Sequence, residues 1–443
     1  MKLLDNKIFS LNGAGGFVTS FVLITACFAL WGFANNVTSP MVGAFSKIFR
    51  MSTFEASMVP VVFNLGYFCM AFPAALFIQR YSFKWGVLTG LILYAAGALL
   101  FLPAKAIGIF PPFLLAYFVL TCGLSFLETS CNPYIYCMGS EKTGIQRLNA
   151  AQAFNALGSV GGMLVAMAVH SNMSPLDTVA RHQLPQQQFN IIKDHDLEVL
   201  IQPYIFIAAV VVLIIVLIWL KHMPHIEAAD SNKGLVTTMK ELLQRRNYRE
   251  GVMAEFFYVG AQAACWTFII QYGTRIFMAE GMTEQAAEVL SQKFNIIAMM
   301  FFACSRFICT WLMKWFDASR MLSVMAIIGI AATFGVVFFT DRNGLYCLVV
   351  VSICLSLMFP TIYGLALQGI GENIKIAGAG LIMAILGGSF FPPIQAAIIQ
   401  SGFTMLGLPS TNLSFFIPLF CLAMVALYGH RVYVRRAILK EEE

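Results

Sequence analysis

Charge is scarce in this chain. Of its 443 residues, 28 are Lys or Arg and 22 are Asp or Glu, so 11% are charged, against about 25% in a soluble globular domain. With 59% hydrophobic residues, too little polar surface remains to cover a water-exposed body of this length. The six histidines (His170, His182, His195, His222, His225 and His430) fall at the ends of apolar runs or in polar loops. None is left for a buried metal or a catalytic base. The 11 cysteines lie mostly inside apolar segments, at spacings that form neither a disulfide framework nor a metal site. They read as small apolar packers. Gly139-Ser-Glu-Lys-Thr-Gly144 lacks the Lys-Ser/Thr that completes a phosphate-binding loop, and no Ser/His/Asp constellation occurs. These absences argue against an enzyme, and no cofactor or metal is expected. The net charge of +6 is distributed over helix ends, not gathered in a stripe, so no nucleic-acid partner is expected.

What the chain has in abundance is long apolar runs. A bilayer-spanning helix needs about 20 predominantly apolar residues. Charges and turn residues divide the chain into spans predicted at 17–45, 56–79, 83–102, 112–138, 147–170 and 200–221, then 251–278, 285–313, 320–340, 345–371, 376–401 and 413–433. The expected fold is therefore all-α and integral to the membrane, with twelve spans in two pseudo-symmetric six-helix bundles. The first bundle is 1–221, a charged linker follows at 222–250, and the second bundle is 251–443. The first apolar run is too long for a signal-peptide core and reads as a retained span. The polar stretch 171–199, with Asp194-His195-Asp196, reads as a solvated loop. Most basic residues, among them Lys2, Lys7, Lys233, Arg245, Arg246, Arg249 and Arg435, fall on one side if both termini and the linker are cytoplasmic.

The halves echo each other. At one constant offset Ala34-Asn35 falls on Ala261-Gln262, Pro133-x-Ile135-Tyr136 on Pro360-x-Ile362-Tyr363, and Gly161 on Gly388. Repeated halves with a polar site at the midplane are a transporter architecture.

Few polar groups interrupt the spans. Glu128 sits in Leu124-Ser-Phe-Leu-Glu-Thr-Ser-Cys-Asn-Pro133, where an ionised side chain costs roughly 2.5–3.5 kcal/mol on insertion scales. A carboxyl held there can take up and release a proton, or stay protonated as a neutral donor. Asn35 and Asn36 interrupt the first span, either as interhelical bonds or as ligands for a polar substrate. Gln152 and Asn155 share a face of the fifth span, among small residues that let another helix come close. If the fourth and fifth spans are neighbours, these amides and Glu128 meet. Tyr258, Gln262 and Trp266 recur at every fourth residue of the seventh span. An amide between aromatics suits a sugar, hydroxyls on the amide and the apolar ring face on the aromatic. A packed stripe is the plainer alternative. Glu255 and Arg306 lie at similar depths and are expected to form a structural ion pair.

The stretches Leu127-Glu-Thr-Ser-Cys-Asn-Pro133, Arg147-Leu-Asn-Ala-Ala-Gln-Ala-Phe-Asn155 and Tyr258-Val-Gly-Ala-Gln-Ala-Ala-Cys-Trp266 resemble the major facilitator superfamily, and within it the L-fucose–proton symporter family. The resemblance implies two six-helix bundles around a central sugar site and import driven by a proton gradient. It assigns Glu128 to substrate binding and proton coupling, and Asn155, Gln152 and Gln262 to the sugar. With Asn35, they are expected to line a midplane cavity. In one respect the chain departs from the family, which usually carries an Asp after the Ala-Asn pair of the first span. Here Asn36-Val-Thr-Ser39 holds no acid. Proton coupling then falls on Glu128, and an uncoupled or exchange-only sugar carrier is the alternative. A galactose or glucose substrate, or a membrane sugar sensor without transport, completes the field. The expected setting is the cytoplasmic membrane of a bacterium, as a monomer whose partners are sugar, proton and lipid.

Overall fold

The structure is a computed structural model that describes residues 14–51, 55, 58–176, 178–221, 223, 235–405 and 407–442; the side chains of 14–17, 39–43, 60, 178, 179, 235 and 439–442 are not among those described. The basic residues Lys2, Lys7 and Lys233 and the linker positions 222 and 224–234 therefore lie outside the described residues. Among those that are described, 12 helical segments are long and apolar enough to cross a membrane. By internal packing the chain divides into two compact units, Met1–Ser140 with Phe154–Asp230, and Glu141–Ala153 with Ser231–Glu443.

The first unit is built on α1 (Ala14–Phe49), α2 (Met58–Arg80), α3 (Phe83–Leu99), α4 (Phe101–Ile107), α5 (Pro111–Cys137), α6 (Gly144–Asn172, whose first turns belong to the second unit), α7 (Thr178–Gln183) and α8 (Gln186–Leu220). Its packing centre is α5, flanked by α2 and α3, with α8 against α3 and α1. Small residues set how closely α6 approaches α1. A Cβ on Gly158 would meet the Ala29 carbonyl and one on Gly162 the Phe33 carbonyl, whereas one on Gly161 would have only the Phe33 ring nearby, at 3.9 Å.

The polar stretch between the fifth and sixth spans is not a solvated loop. Helix α8 starts at Gln186, far ahead of the predicted 200. At 1.5 Å per residue it is roughly 50 Å long, well beyond a hydrocarbon core of about 30 Å, so its polar first turns extend past the apolar layer. Asp194 and His195 are exposed, but Asp196 is fully buried and pairs with fully buried Arg181 on α7 at 2.6 Å. Asp196 also accepts the Ser174 backbone N–H at 2.8 Å, and Arg181 donates to the carbonyls of Leu176 and Ser174. The end of α1 joins this knot. Arg50 adopts a left-handed φ of 51°, closing the helix with a Met51 N–H bond to the Ser46 carbonyl at 3.0 Å. Its guanidinium then lies over the Phe189 ring and donates to the Arg181 carbonyl. Alternation of polar residues in a short segment carries no signal for such a tertiary pairing, so composition alone misread it.

The second unit comprises α9 (Leu235–Gln244), α10 (Arg246–Ala279), α11 (Glu284–Leu312), α12 (Ala318–Phe338), α13 (Arg342–Leu355), α14 (Met358–Leu367), α15 (Ile374–Met383), α16 (Gly387–Gln400), α17 (Ser410–Leu413) and α18 (Phe416–Glu442). The predicted linker thus contains a helix, α9, and α10 begins inside it. Helix α10 packs on α16, α18 and α11, and α12 on α18 and α13. Charged residues tie the ends of these helices together. Glu250 on α10 receives Arg431 at 3.3 Å and also Arg435 from α18, and Asp317 caps α12 while pairing with Arg436 at 2.9 Å. Although burial opposes its charge, hydrogen bonds from Ser319 and the nearby Arg436 hold the Asp317 carboxyl below its ordinary range.

Two stability predictions follow from the first unit. Asp196→Ala strands a buried guanidinium and is expected to cost roughly 3–5 kcal/mol, read as a lowered melting temperature of the detergent-purified chain; an unchanged melt would mean the pair is dispensable. Gly158→Ala is expected to destabilise by about 1–3 kcal/mol through overpacking, while Gly161→Ala leaves the melt unchanged or raises it.

Candidate functional site

Span α5 is apolar enough to cross a bilayer yet carries Glu128, which is 5% exposed. A carboxyl in that setting needs donors from its own protein, because no water is there to solvate it. Its donor is Tyr67 from α2, whose hydroxyl lies 3.0 Å from Glu128 Oε1. The same hydroxyl lies 3.5 Å from Asn35 Oδ1 on α1. Three helices therefore converge on one small polar cluster. Its backbone frame is bonded as well. Ser125 on α5 donates to the Tyr67 carbonyl at 3.1 Å, Asn132 donates to the Glu128 carbonyl at 3.0 Å, and Tyr94 on α3 donates to the Leu30 carbonyl at 3.1 Å. Asn35 keeps some open surface and Tyr67 is nearly enclosed.

Tyr67 was not among the residues singled out from the sequence. A signal was available: Asn64 and Tyr67 are three apart in an apolar run and so share a helix face, the same criterion that selects Gln152 and Asn155.

The amide residues expected near Glu128 make backbone contacts of their own. Asn155 donates across the α1–α6 contact to the Phe28 carbonyl at 3.3 Å, a backbone partner and not the carboxyl. It remains partly exposed. Asn36 turns back onto its own helix and donates to the Gly32 carbonyl at 3.1 Å. Gln152 is buried, and its backbone carbonyl accepts from Arg306 at 3.0 Å.

In the second unit the expected stripe on α10 divides. Tyr258 is fully buried, with its ring 6.3 Å from Phe359 and its hydroxyl beside Arg306. Gln262 and Trp266 keep partial exposure. Trp266 donates its indole N–H toward the Ser352 hydroxyl at 3.4 Å and meets the Phe302 ring edge-on at 5.0 Å.

The expected ion pair between Glu255 and Arg306 is not what the guanidinium of Arg306 makes. Its Nε donates to the Ser356 carbonyl, its Nη1 to the Gln152 carbonyl, and its plane lies 4.5 Å from the Phe302 ring centre. Pro360 explains the first bond. A proline has no N–H for the carbonyl four residues back, and that carbonyl belongs to Ser356, at the break between α13 and α14. In a membrane span the orphaned acceptor must find a donor, and Arg306 supplies it. Glu255 is fully buried on α10.

A profile of the Major Facilitator Superfamily matches residues 22–392. An L-fucose-proton symporter of Haemophilus influenzae is 46% identical over 424 residues, covering 94% of this chain and 97% of that protein. An L-fucose-proton symporter of Escherichia coli is 31% identical, covering 93% of each. A crystal structure of a single-substitution variant of the fucose:proton symporter of Escherichia coli superposes with a TM-score of 0.84 at 29% identity, over 94% of this chain and 99% of that one. The chain belongs to the Major Facilitator Superfamily, and within it to the L-fucose–proton symporter family.

Proposed function

We propose that this protein imports L-fucose, or a closely related hexose, together with a proton, by alternating access. The observation that carries this reading is Glu128, a carboxyl 5% exposed within a membrane span and bonded to a neutral hydroxyl, not to a cation. Without a compensating cation, the charged form pays for its desolvation, and taking up a proton removes that cost. The proton is thus the natural partner of the buried site. The near-full-length similarity to L-fucose-proton symporters supports the choice of sugar and ion.

In this reading Glu128 carries the proton and contacts the sugar. Asn35, Asn155 and Gln262, which keep open surface, bind sugar hydroxyls, and the exposed face of Trp266 takes the apolar side of the ring. Gln152 and Tyr258 contribute from buried positions that a change of conformation uncovers. The stretch Asn36-Val-Thr-Ser39 offers no second acid, so coupling runs through Glu128. The setting proposed is the cytoplasmic membrane of a bacterium, with both termini in the cytoplasm and a single chain as the working unit.

Proteoliposomes test this. Adding L-fucose outside is expected to alkalinise the medium as sugar enters, at a fixed ratio of proton to sugar. Glu128→Gln is expected to abolish the proton movement and gradient-driven accumulation while retaining sugar-for-sugar exchange. Sugar entry without any proton movement in the unaltered chain would establish an exchange-only carrier instead.

A further inference from the structure

A hydroxyl group carries one proton to donate. The Tyr67 hydroxyl has two acceptors within reach, Glu128 Oε1 at 3.0 Å and Asn35 Oδ1 at 3.5 Å. It cannot serve both at once, and the charge on Glu128 decides between them. An ionised carboxylate only accepts, and its charge-assisted bond is roughly twice as strong as a neutral one. Tyr67 therefore donates to Glu128, and Asn35 goes without. A protonated Glu128 has an O–H of its own. It donates that to the Tyr67 oxygen, which frees the Tyr67 proton for Asn35.

We propose that Tyr67 is a positioning residue that relays the protonation of Glu128 to Asn35 and so links proton binding to sugar binding. Protonation closes a continuous chain of hydrogen bonds from α5 through α2 to α1. Only one covalent bond forms, between the arriving proton and Glu128; the rest is a change of hydrogen-bond direction. With its oxygen held by Tyr67, the Asn35 amide turns its two N–H donors outward, ready for a sugar hydroxyl. The cluster is suited to this because its frame is fixed: the Tyr67 and Glu128 carbonyls are each bonded by a side chain of α5, so the side chains can reorganise without moving the helices. The proposal rests on the reading of Glu128 as the proton carrier.

Other titratable groups near the cluster do not supply the switch. Tyr94 faces Tyr67 from α3, Cys131 faces Glu128 on α5 itself, and Cys27 faces Cys131 from α1. Tyrosines and cysteines ordinarily ionise above about pH 8. Glu128 is the carboxyl among them.

Equilibrium binding of radiolabelled L-fucose to the purified full chain, at acidic and at alkaline pH, tests the relay. The unaltered chain is expected to bind about fivefold more tightly in acid, the worth of one neutral hydrogen bond. Tyr67→Phe keeps the ring and removes the donor, and is expected to bind more weakly in acid than the unaltered chain, losing the relay's share of the acid advantage. Asn35→Ala removes the acceptor and is expected to lose the same pH dependence, which gives an independent reading if Tyr67→Phe does not fold. Retention of the full acid advantage in either folded variant overturns the relay. An unaltered chain that moves protons with L-fucose but binds it equally in acid and alkali also overturns the relay and leaves symport intact. An unaltered chain with no fucose-driven proton flux overturns both.

Discussion

Inside a bilayer a polar group has no water to fall back on, and the two units of this protein are arranged around that constraint. Several polar side chains placed in the spans bond to a partner on another helix, and those partnerships bear on which side chains are free for a ligand. Tyr94 is spent on the Leu30 carbonyl and Arg306 on the Ser356 carbonyl, whereas Asn155 bonds the Phe28 carbonyl and still keeps open surface. Glu128 differs in having a neutral hydroxyl as its side-chain donor. A neutral donor stabilises a carboxylate less than a cation does, which is the basis for proposing that this group exchanges a proton.

Proline makes the same constraint visible in the backbone. Pro360 withholds a donor from the Ser356 carbonyl, α13 stops at Leu355, and the buried charge of Arg306 fills the vacancy. The arginine is therefore explained by a backbone requirement and not by a carboxylate. Its second bond, to the Gln152 carbonyl, fixes the first turns of α6 within the second unit. Glycine works in the opposite direction. Gly158 and Gly162 bring α6 so close to α1 that the Asn155 amide can reach the Phe28 carbonyl.

How much of this was legible beforehand depended on the range of the interaction. Long apolar runs located every span, because span length is set by the bilayer and not by neighbours. Glu128 and the α10 stripe stood out because a polar residue in an apolar run is locally anomalous. Asp196 was misread as solvated because its partner, Arg181, lies on a different short helix, and a sequence shows no such closure. Arg306 was assigned to Glu255 on depth alone, and depth cannot reveal that a proline elsewhere has freed a carbonyl. Tyr67 was passed over because tyrosine is common in apolar spans; only the approach of α2 to α5 turns it into the donor for a carboxyl.

The proposed symport turns on one proton on one side chain. In the proposed mechanism Glu128 is neutralised as sugar binds, and Tyr67 and Asn35 respond to that neutral form. Infrared difference spectroscopy on the reconstituted chain observes this event directly, since a protonated carboxyl has a carbonyl stretch separate from that of a carboxylate. Addition of L-fucose at neutral pH is expected to increase the protonated-carboxyl band, and the increase is expected to vanish in Glu128→Gln. Sugar binding with no such band, or a band that survives in Glu128→Gln, would contradict the account.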